Sequence, residues 1–472
     1  MTFFNTGFAA EFLLLAVLYY NVRNGTAQLY ILLAFSIFFY MTQDGAALPL
    51  LVFVCAVTSF ASFPLLRAAL SRHSSLIVVS AGIAIDMMVL FFFKYAGFAA
   101  GTLDPGFAGR HEWYTPFLLL PLPVGISFYV FHGVSLLADS YSGAYKPARQ
   151  RGLREHVERT LLYLVFFPQL IAGPISKARM FMPQIEAKRF GDIDWSFAVQ
   201  QLIFGYFCKL AIANNLADWT IRADPAYIAG FGTPDLLVLQ FGYTIQIFAD
   251  FAGYSSIAIG LAALLGYRLP QNFNFPYIAE SFSEFWRRWH MSLSSWLRDY
   301  LYIPLGGNRK GRIRTYVNLM VVMGLGGLWH GASWNFAIWG LLHGGALSVE
   351  RMFGGNRTGP SERWSIAVPL RIALVFFFVF LFWIPFRYKH FSDTVLFFET
   401  LYRNRTLHAD PVQLFTVALL STPIVAFHLH ALASERSKIR LSPNARALIF
   451  GTMAFLALSN AGVGTPFIYF QF

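Results

Sequence analysis

The chain has 472 residues, of which 56% are hydrophobic and only 13% are charged, with a formal net charge of +12. Soluble proteins have about half apolar and about a quarter charged residues, so this composition excludes an ordinary soluble globular protein and favours a membrane protein. The two cysteines, Cys55 and Cys208, both lie in apolar stretches. That placement argues against a disulfide framework and against a cysteine metal site.

Apolar stretches recur along the chain, and a membrane-spanning helix needs roughly 20 mostly apolar residues. On this length rule we expect an all-α polytopic membrane protein with about 11 to 13 transmembrane or re-entrant helices. The predicted stretches are residues 8–20, 28–41, 47–66, 75–93, 117–137, 161–172, 197–213, 236–265 (one span or two), 317–349, 366–386, 412–430 and 447–458. The first carries Glu11 and lacks a basic n-region and a small-residue cleavage site, so we expect a retained span.

Basic residues are concentrated in alternate predicted loops of the first half. They lie in the first, third and fifth loops: Arg23, Arg67, Arg72, Lys146, Arg149, Arg151, Arg154 and Arg159. The second and fourth loops are poor in basic residues and carry Asp44, Asp104 and Glu112. Because cytoplasmic loops are enriched in Lys and Arg, this alternation predicts an amino terminus on the outer, periplasmic side.

The chain has no Ser/Gly-rich linker and no evident internal repeat. We therefore predict a single membrane domain over residues 1–472. It divides by pattern into amino-terminal spans (1–138), middle spans and connectors (139–280), a segment with the candidate chemistry (281–349) and carboxyl-terminal spans (350–472).

The largest polar interruption, residues 281–316, mixes Arg and Lys with Trp and Tyr. Such a mixture is typical of a segment at the cytoplasmic membrane interface. Trp286, Trp289 and Trp296 are spaced for roughly one helical face, and residues 304–308 predict a turn. The basic run 309–314 could bind a phosphate-rich donor such as coenzyme A. The favoured alternative is that this run determines the orientation of the chain in the membrane and contacts anionic lipid headgroups.

Residues 315–349 contain no Asp, Lys, Arg or Glu, yet they include His330 and His343. An ionisable residue inside the bilayer is costly, so its default interpretation is functional. His330 lies 14 residues beyond Tyr316, or about 21 Å of helix, within an apolar core about 30 Å thick. Four glycines predict either a broken helix or a close backbone approach: Gly324, Gly326, Gly327 and Gly331.

A buried neutral imidazole can accept the hydroxyl proton that acyl transfer must remove. The alternative for His330 is a hydrogen bond between two packed helices, and this structural interpretation is favoured for His343. On composition alone, His290 is interpreted as an interfacial anchor. Lys209 and Asp250, in apolar surroundings, motivate a competing hypothesis of a proton-coupled transporter or lipid-linked sugar flippase in which His330 relays protons.

Several segments together resemble one family, the membrane-bound O-acyltransferases. The segments that carry the resemblance are residues 122–129, 166–175, 250–255, 272–277, 285–307, 327–331 and 466–472. Each is weak alone, whereas their order and spacing are specific. The resemblance is to the bacterial branch that acetylates exported polysaccharides such as alginate.

The resemblance implies a ring of tilted helices around a central tunnel, with cytoplasmic and extracytoplasmic funnels that meet near the family's histidine. That histidine maps onto His330, and a second conserved polar position maps onto His290, so both are predicted to be catalytic. The residues predicted to line the tunnel or contact the donor are Trp329, Asp250, Asn335, Trp286, Arg298, Arg309 and Lys310. No metal and no bound cofactor are expected.

The implied activity is transfer of an acetyl group across the bacterial inner membrane from a cytoplasmic donor, acetyl-CoA. The implied acceptor is an extracytoplasmic serine-esterase-like partner of the SGNH type, which modifies a secreted polysaccharide. Membrane lipids are expected partners and nucleic acid is not. Two alternatives stay open within acyl transfer: a D-alanyl group from a carrier protein, or peptidoglycan as the acceptor.

Overall fold

The computed structural model describes residues 3–104, 106, 115, 120–149, 152–354, 365–405 and 410–465, and these residues contain helices and no β-strand. The predicted all-α class is therefore confirmed. The predicted closing segment 466–472, Glu112, Arg151 and the first three residues of the predicted span 117–137 lie outside the described residues. The described residues group into two compact units, Met1–Val199 with Ala258–Pro270, and Gln200–Ile257 with Gln271–Phe472.

The first unit contains eight of the described helices. They are α1 (Thr6–Asn21), α2 (Gly25–Asp44), α3 (Leu48–Leu66), α4 (Arg72–Leu103), α5 (Ile126–Ser142), α6 (Leu153–Val165), α7 (Phe167–Leu170) and α8 (Ala178–Phe181). Buried polar side chains hold this unit together: the Gln28 amide donates to the carbonyls of Val22 and Lys188, each at 2.9 Å. Asp139, near the end of α5, pairs with Arg179 at 3.0 Å.

The remaining described helices lie wholly or mostly in the second unit. They are α9 (Trp195–Tyr206), α10 (Asn215–Thr220), α11 (Thr233–Leu264), α12 (Phe282–Arg288), α13 (Met291–Leu297), α14 (Arg312–His330), α15 (Trp334–Met352), α16 (Ala367–Arg387), α17 (Phe391–Arg403), α18 (Pro411–Ser437) and α19 (Pro443–Ser459). A π-helical stretch, Phe207–Asn214, joins α9 to α10, and a second, Arg298–Tyr302, follows α13.

Six stretches of the described residues are long and apolar enough to cross a membrane. They are Gly25–Leu66, Arg72–Leu103, Trp195–Ala223, Thr233–Leu264, Ala367–Arg387 and Pro411–Ser437. In α11, 94% of the apolar window is buried, against 22% to 44% in the other five, so α11 is a protein-enclosed helix. The chain is a multi-pass membrane protein, while the count of 11 to 13 helices, the ring around a tunnel and the single domain stay predictions.

Two of the predicted apolar stretches are interrupted in the structure. The stretch 161–172 is interrupted because α6 ends at Val165, the backbone of Phe166 is not helical, and a new turn begins with Phe167 and Pro168; proline is well suited to the first turn of a helix, where its missing N–H needs no partner. The stretch 317–349 is two helices, α14 and α15, joined by residues 331–333. The stretch 236–265, by contrast, is one helix of 32 residues.

Helices α14 and α15 approach each other closely at two glycines. A Cβ atom on Gly327 would clash with the carbonyl oxygen of Phe336, and one on Gly340 would clash with the carbonyl oxygen of Met323. Small residues at a helix interface allow this approach inside a membrane. Both predicted causes therefore occur, at different glycines: Gly327 lies at the close backbone contact, and Gly331 lies where α14 ends.

We expect Gly340→Ala to destabilise the protein by about 1–3 kcal/mol, because the added methyl group meets rigid backbone. Gly345→Ala on the same helix is the matched control, since a Cβ there meets nothing within 4 Å. The measurement is thermal unfolding of the purified protein in detergent. Equal unfolding midpoints for the two variants would show that the two helices do not depend on this contact.

Candidate active site

His330 is the last residue of α14, and aromatic rings surround it. Its side chain is buried, with ring centroids 5.0 Å from Trp329, 5.1 Å from Trp339 and 5.3 Å from Phe386. The His290 ring lies 6.2 Å away. The structure therefore brings together the two histidines and the tryptophan that the sequence proposed for the site.

A cavity of about 170 Å³ lies beside His330 in the second unit, and its lining is almost wholly apolar. The lining includes Trp286, Arg298, Tyr302, Gly326, His330 and Trp339. Two further predicted site residues, Trp286 and Arg298, therefore border the same space as His330. In such surroundings an imidazole meets little competing water, which strengthens its interaction with a polar group that enters.

His290 lies where the chain bends sharply between α12 and α13. Its backbone has φ of 42° and ψ of 52°, the left-handed region that a residue with a side chain seldom adopts. Trp289, directly before the bend, is fully buried and stacks on Phe285 at 5.8 Å. The predicted single helical face of Trp286, Trp289 and Trp296 is therefore wrong, because the helix ends at Arg288 and a new one starts at Met291.

The bend is held by a segment that precedes α12 in the chain. The backbone N–H of Asn274 donates to the carbonyl of Arg288 at 2.9 Å, and the N–H of Met291 donates to the carbonyl of Asn272 at 2.9 Å. The Arg288 side chain pairs with Glu284 and with Glu435, both at 2.8 Å. These bonds on either side of His290 fix a backbone conformation that would otherwise be unfavourable.

Among the described residues, the polar contact of the His290 ring is on its Nδ1 side. Nδ1 lies 3.0 Å from Oδ1 of Asn272, an oxygen that also accepts from the backbone N–H and the hydroxyl of Ser292. The ring meets Phe251 at 4.6 Å in a perpendicular arrangement. His290 lies outside the six candidate spans, and burial lowers its pKa below the usual value, so the ring is neutral near pH 7.

The other predicted site residues lie elsewhere, and their roles stay predictions. Arg309 and Lys310 are exposed in the turn after Tyr302 and do not border the cavity. The predicted turn at 304–308 is present there. Asn335 is buried, and its amide donates to the carbonyls of Tyr388 and His390 at 2.8 and 2.9 Å. Those bonds tie the start of α15 to the chain after α16.

Asp250 forms a buried ion pair rather than part of the cavity lining. Its carboxylate lies 2.7 Å from the Lys209 ammonium, and both side chains are almost fully buried. Lys209 lies in the π-helical stretch and also donates to the carbonyl of Thr465 at 3.0 Å. The packing of α9 on α11 is tight nearby, since a Cβ on Gly253 would lie 2.9 Å from the carbonyl oxygen of Gly205. The two charges that motivated the transporter hypothesis are thus paired with each other.

Sequence reasoning missed three residues of the site: Asn272, Trp339 and Phe386. Asn272 belongs to a segment that carries the family resemblance, but no spacing links it to a histidine 18 positions later. The two rings contact His330 only after α14, α15 and α16 have packed together. Within the described part of the chain, no group of three or more His, Cys, Asp or Glu side chains could hold a metal ion.

The chain is similar in sequence to known proteins. The family model of the membrane-bound O-acyltransferases matches residues 156–361. The peptidoglycan O-acetyltransferase of Helicobacter pylori is 33% identical over 426 residues, which is 83% of this chain and 76% of the relative. A probable alginate O-acetylase of Pseudomonas syringae pv. tomato is 40% identical over 309 residues, 65% of this chain and 57% of the relative. The teichoic acid D-alanyltransferase of Bacillus subtilis is 30% identical over 331 residues, 63% of this chain and 80% of the relative.

The fold and the site define an all-helical, multi-pass membrane protein in which one buried imidazole borders an apolar cavity and a second lies 6.2 Å from the first. The chain belongs to the membrane-bound O-acyltransferase family. Its match spans 57% to 60% of the length of three of the alginate O-acetylases that it resembles.

We expect Asp250→Leu to destabilise the protein by about 3–5 kcal/mol, because the Lys209 ammonium loses its carboxylate in a buried position. The double variant Lys209→Met with Asp250→Leu should recover most of that loss, since neither charge remains buried. Unfolding midpoints of the wild type, both single variants and the double variant complete a double-mutant cycle. A double variant as unstable as Asp250→Leu would show that the pair does not act as a unit.

Proposed function

We propose that the protein is an O-acetyltransferase that moves an acetyl group from cytoplasmic acetyl-CoA through the membrane to an extracytoplasmic acceptor. The observation that carries this proposal is a buried imidazole, His330, at the wall of an apolar cavity in a chain of this family. The acceptor is a hydroxyl group on a serine-esterase-like partner of the SGNH type, which passes the acetyl group to an exported polysaccharide.

In the proposed reaction, the acceptor hydroxyl oxygen attacks the carbonyl carbon of the acetyl thioester. The new carbon–oxygen bond forms an ester, and the carbon–sulfur bond to coenzyme A breaks. His330 accepts the hydroxyl proton and returns it to the departing sulfur, which leaves as a thiol. His290 is its companion at the reaction centre, with ring centroids 6.2 Å apart. The apolar rings around His330 exclude water, which would otherwise hydrolyse the thioester.

Arg298 is the cationic residue that borders the cavity, and we assign it to the donor. Its guanidinium is more than half exposed and lies 2.8 Å from Asp299. A guanidinium is well suited to bind the phosphates of coenzyme A. In this proposal the nucleotide end of the donor lies near Arg298 while its acetyl end enters the apolar space beside His330.

Peptidoglycan is the second candidate acceptor. The relative named for peptidoglycan O-acetylation aligns with 83% of this chain, against 65% for the alginate O-acetylase of Pseudomonas syringae. The acetyl chemistry is the same for both polymers, and the difference lies outside the membrane. Mass spectrometry of both polymers from a deletion strain distinguishes them, because only the true acceptor loses its ester-linked acetyl groups.

The proposed setting is the bacterial inner membrane with a periplasmic amino terminus, as the distribution of basic loop residues predicts. Donor and acceptor are then on opposite sides. Inverted membrane vesicles, which expose the cytoplasmic face to added acetyl-CoA and enclose the partner and the polymer, are the natural assay system.

We expect His330→Ala to lower the transfer of labelled acetyl from acetyl-CoA into enclosed polymer or partner by about 100-fold or more, because general-base catalysis contributes about that much. His343→Phe is the matched control. His343 is another buried histidine of the α14–α15 pair, it stacks on Phe285 at 5.8 Å, and phenylalanine preserves that packing.

Both variants should be present in the vesicles at wild-type amounts. Full transfer by a well-folded His330→Ala protein would remove the proposed catalytic role. Movement of a solute driven by a pH gradient, without any covalent label on the acceptor, would instead support the transporter hypothesis.

We expect Arg298→Ala to raise the KM for acetyl-CoA about tenfold and to leave kcat nearly unchanged. The contact between Arg298 and the donor should be equally strong in the ground state and in the transition state, so its loss weakens binding without slowing the chemical step. Arg309→Ala should raise KM less, since Arg309 lies outside the cavity lining. Initial rates in inverted vesicles over a range of acetyl-CoA concentrations give both constants. A larger effect at Arg309 than at Arg298 would place the donor on the basic turn instead.

A further inference from the structure

Asn272 has a side-chain orientation that its neighbours determine. The backbone N–H of Ser292 can only donate a hydrogen bond, and it lies 3.3 Å from one terminal atom of the Asn272 amide. That atom must therefore be the oxygen, Oδ1. The other terminal atom, Nδ2, then donates to the hydroxyl of Ser255 at 2.9 Å, which the Ser255 oxygen can accept. All four side chains involved, those of Asn272, Ser292, Ser255 and His290, are buried.

This orientation determines which nitrogen of His290 carries the proton. Nδ1 of His290 lies 3.0 Å from Oδ1 of Asn272, and Oδ1 is an acceptor. Nδ1 must then be the donor, so the neutral ring is the Nδ1–H tautomer. Nε2, across the ring, keeps its lone pair. It is buried and has no hydrogen-bond partner among the described residues.

The position of the ring is fixed as firmly as its tautomer. The backbone of Asn272 accepts the N–H of Met291, so the residue that contacts the His290 side chain also holds the bend that carries it. Phe251 meets the ring at 4.6 Å in a perpendicular arrangement and limits its rotation. A buried acceptor that is held in place and has no partner is costly in a purely structural site, and such atoms occur where a substrate supplies the missing donor.

We propose that Asn272 is a positioning residue of the reaction centre, which holds His290 as the Nδ1–H tautomer so that Nε2 accepts a hydrogen bond during acetyl transfer. This inference rests on the proposed function, since it assigns His290 a part in the chemistry. Asn272 contacts neither the cavity nor His330 in this role, and it acts only through His290.

The test compares Asn272→Ala, Asn272→Asp and Ser255→Ala in inverted membrane vesicles with labelled acetyl-CoA. Asn272→Ala removes the acceptor for Nδ1–H, so the ring loses the bond that fixes both its tautomer and its position, and kcat should fall by about 100-fold, with the KM for acetyl-CoA unchanged. Ser255→Ala is the matched control, because it removes only the partner of Nδ2. Its kcat should stay within about threefold of wild type, the size of an indirect effect on packing.

Asn272→Asp keeps an acceptor facing Nδ1 and should restore most of kcat, although with a changed pH profile. A carboxylate beside the ring favours the imidazolium, so it raises the pKa of His290. Because transfer needs the neutral ring, the acidic limb of the kcat profile should shift to higher pH. A residue with a merely structural role would lower the amount of folded protein without moving this limb.

Three results would overturn the inference: wild-type kcat in Asn272→Ala, no recovery in Asn272→Asp, or an equal loss in Ser255→Ala. Unfolding midpoints in detergent identify a variant that has lost its fold. If Asn272→Ala is such a variant, the acidic limb of the pH profile of Asn272→Asp tests the inference instead. His290→Ala and His330→Ala in the same vesicles distinguish a failure of the proposed function from a failure of the role of Asn272. If both remain active, the proposed function fails; if both are inactive while Asn272→Ala is active, only the role of Asn272 fails.

Discussion

The close backbone contact between α14 and α15 is the constraint on which the candidate site depends. Gly327 and Gly340 have no side chains, so the two helices approach until carbonyl oxygens lie where Cβ atoms would be. With α14 ending at His330 and α15 beginning at Trp334, the Trp339 ring lies against the His330 imidazole at 5.1 Å. Larger residues at either glycine would separate the helices and move that ring away.

Two groups of charged side chains in the second unit are paired and lie outside the cavity lining. Lys209 pairs with Asp250, and Arg288 pairs with Glu284 and Glu435. The cavity lining is mostly apolar, and its polar members include His330 and Arg298, which pairs with Asp299. A charge that already has a partner changes the protonation of a nearby imidazole less than an unpaired charge does.

The sequence predicted the features that depend on local composition, and it failed where tertiary contacts decide. A histidine in a charge-free apolar stretch was recognisable because burial of an ionisable group is costly, and His330 is buried as expected. The bend at His290 was not recognisable from the sequence. Its left-handed backbone is held by Asn272 and Asn274, which are too far away along the chain for a helical or strand periodicity to link them to it. The pairing of Lys209 with Asp250 across 41 positions had no signal in spacing either.

The cavity lining bears on which acyl group the protein carries. Relatives of the chain are named for D-alanyl transfer and for O-acetyl transfer. A D-alanyl group carries an ammonium, which would need a carboxylate or several acceptors to replace its hydration. Among the described residues that border the cavity there is no Asp and no Glu, while Arg298 is present and would repel a cation. The acetyl group of the proposed function is small and uncharged, so it would leave no unpaired charge in an apolar space of about 170 Å³ beside His330.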